Sequence, residues 1–319
     1  MWQPVDVDIG AAYLAKKNAH NLDVGICFRA RDHLYFEKGQ DETDTLLKSA
    51  GYLSVTTLIH YFAPDFNEDE IIQKMMKNPK FPYEKKHEQT YGVLLKYKEK
   101  REWPSLIKES WEKNRNEASS KGTAMHLYLE NYVNDLAYRI DQDPERPVTV
   151  DIEESDTVEI KYAKHYIQHM LNQGYVPFRT EWTLYIPELK LAGSIDLLWR
   201  HRDDAGRSHV VLADWKRSKE IKACNQFQRF HGQLDEFSAC NLNNYTFQAN
   251  MYARMLCLQY GVTVDSMHIV ICHPDNTSYF QIPLELQPRV IDYMFQQRKA
   301  QLAHNVCNND LESFISRGC

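Results

Sequence analysis

Along this chain the apolar residues recur either three and four apart or two apart, and the two rhythms predict helices and strands in a definite order. Near the start, Ile9 to His20 is predicted as a short helix and His33 to Gln40 as a strand ending in a turn. Ser54 precedes Val55, Leu58, Ile59 and Phe62, the spacing of a capped helix. Asn67 and Glu70 then open a helix over Glu68 to Lys77 with Ile71, Ile72, Met75 and Met76 on one side. Pro79 to Arg101 is polar, aromatic and lysine-rich and reads as a loop. A helix over Ser105 to Ala118 follows, and Gly122 is expected to break it. The next helix, capped by Ser119 or Ser120, carries Met125, Leu129, Tyr132 and Leu136 as its buried stripe, with His126 and Glu130 one turn apart on the flank.

Beyond an acidic loop over 141–157, Thr157 to Gln173 is helical and Gly174 ends it. The rhythm then shortens to two. Strands are predicted over Val176 to Ile186, Lys190 to Arg200 and His209 to Lys216, the last two joined by the polar hairpin of Asp203 to Ser208. Residues 217–243 are irregular. Asn244 to Tyr260 is a helix, Met267 to Cys272 and Ser278 to Pro283 are strands, and Pro288 to His304 closes the chain as a helix. No internal repeat appears. The order implies an α/β protein, with residues 1–104 a mainly helical N-terminal lobe and 105–319 the core.

Within the strands, three charged residues interrupt apolar runs. Asp196 lies in the second strand and Asp214 and Lys216 in the third. Because successive side chains alternate faces, Asp214 and Lys216 project from one side and Trp215 from the other. Placing acids and a lysine in such runs is costly, and the cost asks for a chemical reason. Singly, each has a plainer reading: Asp214 and Lys216 as an ion pair, Asp196 as a turn residue, His126 and Glu130 as a surface pair.

Charge and cysteine content narrow the classes. The net charge of −6 argues against a protein that coats nucleic acid by bulk electrostatics, although basic residues cluster over 85–121 and 190–229. The seven cysteines are scattered and never in C-x-x-C spacing, so no disulfide framework, zinc site or iron–sulfur cluster is expected. A polar, acidic start and the lack of a long apolar run predict an intracellular protein without a membrane segment. Two carboxylates on neighbouring strands can hold a divalent cation such as Mg²⁺ or Mn²⁺, with the Trp215 carbonyl beside them. A neighbouring lysine can orient an attacking water and offset transition-state charge.

Taken in order, Gly122-Thr-x-x-His126-x-x-x-Glu130, Glu181, Gly193-Ser-Ile-Asp196, Asp214-Trp-Lys216 and Gln248-x-x-x-Tyr252 resemble the PD-(D/E)XK nuclease superfamily, and most of all its RecB-like and lambda-exonuclease-like branch. The resemblance covers residues 119 to about 283. It implies a restriction-endonuclease-like core, a mixed central sheet flanked by helices. It makes Asp196, Asp214 and Lys216 catalytic, with Glu181 beside them, and assigns metal contact to His126, Asp196, Asp214, the Trp215 carbonyl and Glu130. Gln248, Tyr252, Arg217 and Lys219 become the substrate contacts. The implied partner is nucleic acid, DNA ahead of RNA, cut in an exonuclease-like way during repair, recombination or replication, with a homo-oligomer or a replication partner left open. The second reading is a catalytically silent member of the same fold that binds nucleic acid or serves assembly.

Overall fold

The computed structural model describes residues 12–29, 34–39, 51–85 and 87–316, with side chains through 304. The expected helix over 9–20 and strand over 33–40 lie partly outside the described residues. Helices and strands run in the order α1 (Tyr13–Lys17), β1 (Ile26–Arg29), β2 (Leu34–Glu37), β3 (Leu53–Ser54), α2 (Val55–His60), α3 (Glu68–Lys77) and α4 (Val93–Leu95). Then come α5 (Trp103–Gln142), α6 (Val158–Asn172), β4 (Val176–Ile186), β5 (Leu191–Arg202) and β6 (Ser208–Lys216). The chain closes with α7 (Asn241–Met255), β7 (Ser266–Ile271), β8 (Phe280–Leu284) and α8 (Pro288–Ser316).

Residues 1–64 and 125–319 form one compact unit and 65–124 a second. The boundary expected from sequence at 104/105 falls inside the second unit, near the start of α5. That unit is built on α3, whose N-cap Asn67 accepts from the Glu70 amide at 3.1 Å. Ile72, Phe81, Leu95, Trp103 and Ile107 make its core. The segment from 79 to 101 is therefore not the open loop its polarity suggests. Phe81 and Leu95 bury, and a π-helical turn over Glu88–Gly92 leads into α4.

In the first unit the sheet is mixed and flanked by helices. β4 runs antiparallel along β5, β6 is antiparallel to β5, β7 is parallel to β6, and β8 is antiparallel to β7. The parallel step from β6 to β7 needs a crossover, which α7 supplies. β3 pairs with Leu191 and Ala192 only, whereas β6 pairs with β5 from Leu197 to Arg202. A strand has two edges, and β4 takes one of them. β3 and β6 must therefore share the other, and between their pairings the β5 edge over 193–196 is left open.

The sheet separates two cores. On the α7 side lie Val210, Leu212 and Ile269 with Phe247, Met251 and Met255. On the opposite side Val211, Ala213 and Trp215 pack with Tyr166, Ile167, Leu129 and Val133 of α6 and α5. The alternation of β6 thus turns Trp215 toward α5 and α6, and its two-residue period puts Asp214 and Lys216 on the α7 side. In β5 the alternation slips. Ile195 and Leu198 join the α7-side core and Leu197 the other, so the irregularity falls beside Asp196.

One expected break does not occur. Gly122 lies inside α5, which runs unbroken from Trp103 to Gln142. A glycine weakens a helix interior by only about 1 kcal/mol, which flanking turns can absorb.

Candidate metal centre

Three elements bring His126, Glu181 and Asp196 together. α5 presents His126 from the turn between Met125 and Leu129, both buried in the α5–α6 core. β4 presents Glu181 from a backbone with φ 41°, a left-handed conformation that side chains other than glycine seldom adopt. β5 presents Asp196 at the end of the open edge. One ligand atom from each of the three lies within 4.8 Å of the others. His126 Nδ1 is 3.5 Å from Glu181 Oε1 and 3.6 Å from Asp196 Oδ2, and its Nε2 is 3.2 Å from the Trp215 carbonyl oxygen. Asp196 Oδ2 also accepts the Trp215 amide at 2.8 Å, which ties β5 to β6 where their regular ladder has ended. Ser194 Oγ donates to Glu181 Oε2 at 3.4 Å.

Asp214 and Lys216 form an ion pair with each other. The Lys216 ammonium also sits over the Tyr245 ring of α7, 4.8 Å from its centroid. Tyr252, two turns further along α7, fills the space above β5 at Gly193. A Cβ at Gly193 would come within 2.5 Å of its Cε1, so only glycine fits there. Gln248 Nε2 donates to the Tyr252 hydroxyl at 3.1 Å.

The charges are mutually dependent. Burial alone would lower the His126 pKa, but the carboxylates of Asp196 and Glu181 outweigh it and raise the imidazole to about 9. Burial and the nearby Asp196 charge raise Asp214 to about 6, against the opposing pull of Lys216. Burial likewise raises Asp196, with Glu181 adding to the shift and His126 and Lys216 opposing it. Burial disfavours the Lys216 ammonium, yet Asp214 and Asp196 hold its pKa above the usual lysine range. Glu130 is raised to about 7 by burial and by the charge of Glu181. Two carboxylates, Glu181 and Asp196, thus crowd one imidazole while Asp214 is matched by Lys216, an arrangement that leaves room for more positive charge than the side chains supply.

The donor set, two carboxylates and an imidazole with a backbone carbonyl at hand, suits an oxygen-preferring divalent cation, and the imidazole favours Mn²⁺ more than Mg²⁺. Asp214 lies beside this group rather than in it, since its carboxylate is engaged by Lys216. Glu130 stands within the field of Glu181. The two basic residues expected to meet substrate have acidic partners: Arg217 Nε is 2.8 Å from Glu159, and Lys219 Nζ is 2.8 Å from Asp275.

Sequence reading missed Tyr35 of β2. It is 7% exposed, and burial with the charges of Glu181 and Asp196 raises its hydroxyl pKa, so a phenol stands near the carboxylates. Nothing local in residues 34–37 signals this, because the hairpin of β1 and β2 reaches the site only through tertiary packing.

No family model matches the chain, and no curated protein does. Among solved structures it is similar to the crystal structure of SSO0001, at 14% identity and a TM-score of 0.23, over 45% of this chain and 58% of that one. A likeness that distant carries no argument about fold or chemistry. Among the described residues no helix is long and apolar enough to cross a membrane.

Proposed function

We propose that the chain is a divalent-metal-dependent nuclease that hydrolyses phosphodiester bonds of DNA on a PD-(D/E)XK-like core. The observation that carries this reading is the convergence of His126, Glu181 and Asp196, with ligand atoms within 4.8 Å, next to a half-buried lysine paired to Asp214. His126, Glu181 and Asp196 would hold the cation, with the Trp215 carbonyl adjacent. A bound Mg²⁺ or Mn²⁺ would supply Lewis acidity toward a phosphate oxygen and a more acidic water. The residues do the rest. Asp214 fixes the Lys216 ammonium, which sits where it can hydrogen-bond the attacking water and offset the charge gathering on the phosphoryl oxygens. Asp196, held by the Trp215 amide, keeps β5 and β6 in register at the point where both donate to the site.

An acid–lysine arrangement that had lost its chemistry would serve only as a scaffold, and that reading predicts DNA binding without cleavage. The test has two readouts. Mn²⁺ is expected to raise the melting temperature of the wild type and to leave Asp196→Ala and His126→Ala unmoved. End-labelled single-stranded DNA, duplex and circular plasmid, incubated with EDTA, Mg²⁺ or Mn²⁺, are expected to be cut only with metal. A metal-induced thermal shift without cleavage of any substrate would favour the silent scaffold. Neither shift nor cleavage would sink the proposal.

A further inference from the structure

Helices α2 and α7 flank an open cleft of about 220 Å³ beside the lysine of the site, with Thr56, His60 and Asn241 exposed at its rim. Thr56 and His60 line it from α2, with the buried Ile59 behind them, and Asn241, Asn244, Tyr245 and Gln248 line it from α7. The four α7 residues fall three, four and seven apart, one stripe of the helix. Two of them also belong to the candidate metal centre's surroundings. Tyr245 carries the Lys216 ammonium over its ring, and Gln248 donates to Tyr252, which packs on Gly193. A group in the cleft therefore lies next to the place where a scissile phosphate would meet Lys216.

The lining excludes most occupants. It contains no lysine, arginine, aspartate or glutamate, so a phosphate gains no counter-charge and a metal no carboxylate. What it offers is three carboxamides, a hydroxyl, an imidazole and a phenol. Carboxamides present a donor and an acceptor side by side, the complement of a nucleobase edge. The Tyr245 and His60 rings offer faces for stacking.

We infer that this cleft seats one unpaired nucleobase of the substrate strand, next to the bond to be cut. The inference rests on the nuclease reading and deepens it. A base in the cleft cannot be stacked and paired in a duplex, so the substrate must be single-stranded, or unpaired, at that position. Thr56, His60, Asn241 and Asn244 become specificity residues, and none of them is needed for holding metal.

The test is binding by the full chain in EDTA, so that cleavage does not intervene. The probes are a fluorescein-labelled oligodeoxyadenylate, the same strand with a single abasic site moved along it, and the blunt duplex. The wild type is expected to bind the single strand in preference to the duplex and to lose about tenfold in affinity when the abasic site reaches one position. Asn244→Leu on α7 and His60→Ala on α2 are each expected to lose a similar factor on the intact strand and nothing further on that abasic strand. Melting curves of both variants establish that they fold, and their placement on different helices guards against one local defect.

An abasic scan that stays flat, or variants that bind the intact strand as the wild type does, would overturn the base site. The two readings separate cleanly. Metal-dependent cleavage with a flat abasic scan removes the base site and leaves the nuclease standing. A position-specific abasic loss without cleavage does the reverse.

Discussion

Glu181 presents its carboxylate from a backbone that few side chains tolerate, and it does so opposite Asp196, where a second negative charge adds to the cost. A left-handed conformation at a non-glycine residue costs about 1–2 kcal/mol, and such strain collects at functional sites. Replacing the side chain alone would not remove it. Glu181→Gly is therefore expected to be more stable than Glu181→Ala by about 1 kcal/mol in EDTA, the reverse of the order at an ordinary strand position. Urea denaturation of the two variants measures the difference, and an alanine variant equal to or more stable than glycine would refute the strain. The shared face of Asp214 and Lys216 was legible in the sequence because strand parity is a local property, whereas beside Asp196 the alternation of β5 slips. The turned backbone of Glu181 was not legible, since it depends on how β4 and β5 distort together. Tyr35 was not legible either, because its four-residue strand carries no periodicity that points toward the carboxylates.

Among the elements, α5 links chemistry to packing, since His126 and Glu130 share a flank whose neighbouring stripe, Met125, Leu129, Val133 and Leu136, is buried against α6 and the sheet. The pattern placed Met125, Leu129 and Leu136 in that stripe, took the half-buried Tyr132 for its fourth member where Val133 is the buried one, and expected a break at Gly122 that does not occur. A Cβ at Gly122 would meet nothing within 4 Å. Gly122→Ala is accordingly expected to stabilise the protein by about 1 kcal/mol, read as a higher melting temperature, and a lower one would mean that the backbone there is not helical. The strands β4, β5 and β6 and the helices α2, α3, α6 and α7 lie where the hydrophobic rhythm puts them. β3 was beyond reach. Leu53 and Ser54 become a strand only by pairing with Leu191 and Ala192, more than a hundred residues away, and that pairing brings α2 beside α7. A helix whose sequence showed no chemistry thereby supplies one side of the proposed base site, through Thr56 and His60.

At the scale of the whole molecule, charged and polar groups are buried on both sides of the sheet. The α7 side holds the acid and lysine pair of the proposed chemistry. The α6 side holds structural groups: Lys164 and Asp156, an ion pair at 2.7 Å with side chains only 1% and 2% exposed, and His268, bonded through Nε2 to the Tyr166 hydroxyl at 2.7 Å. Burial lowers the His268 pKa from 6.5 to about 4, with His169 adding to the shift. A base whose folded pKa is depressed binds fewer protons in the folded state, so its contribution to stability is present above pH 6.5 and is lost as pH falls toward 4. Asp214 and Glu130 titrate with the opposite sign, because their raised values favour the folded state as acid is added. The His268 component is isolated by comparison. The melting-temperature advantage of wild type over His268→Gln is expected to shrink between pH 6.5 and 4, and a constant gap would show that His268 is not held neutral by burial.

All of the proposed chemistry converges on the Lys216 ammonium, and its removal tests the account most directly. Single-turnover cleavage of end-labelled single-stranded DNA in Mn²⁺ should proceed in the wild type, stop in EDTA, and fall by at least about a hundredfold in Lys216→Ala with the Mn²⁺-induced thermal shift retained. A Lys216→Ala protein that cleaves at the wild-type rate would contradict it.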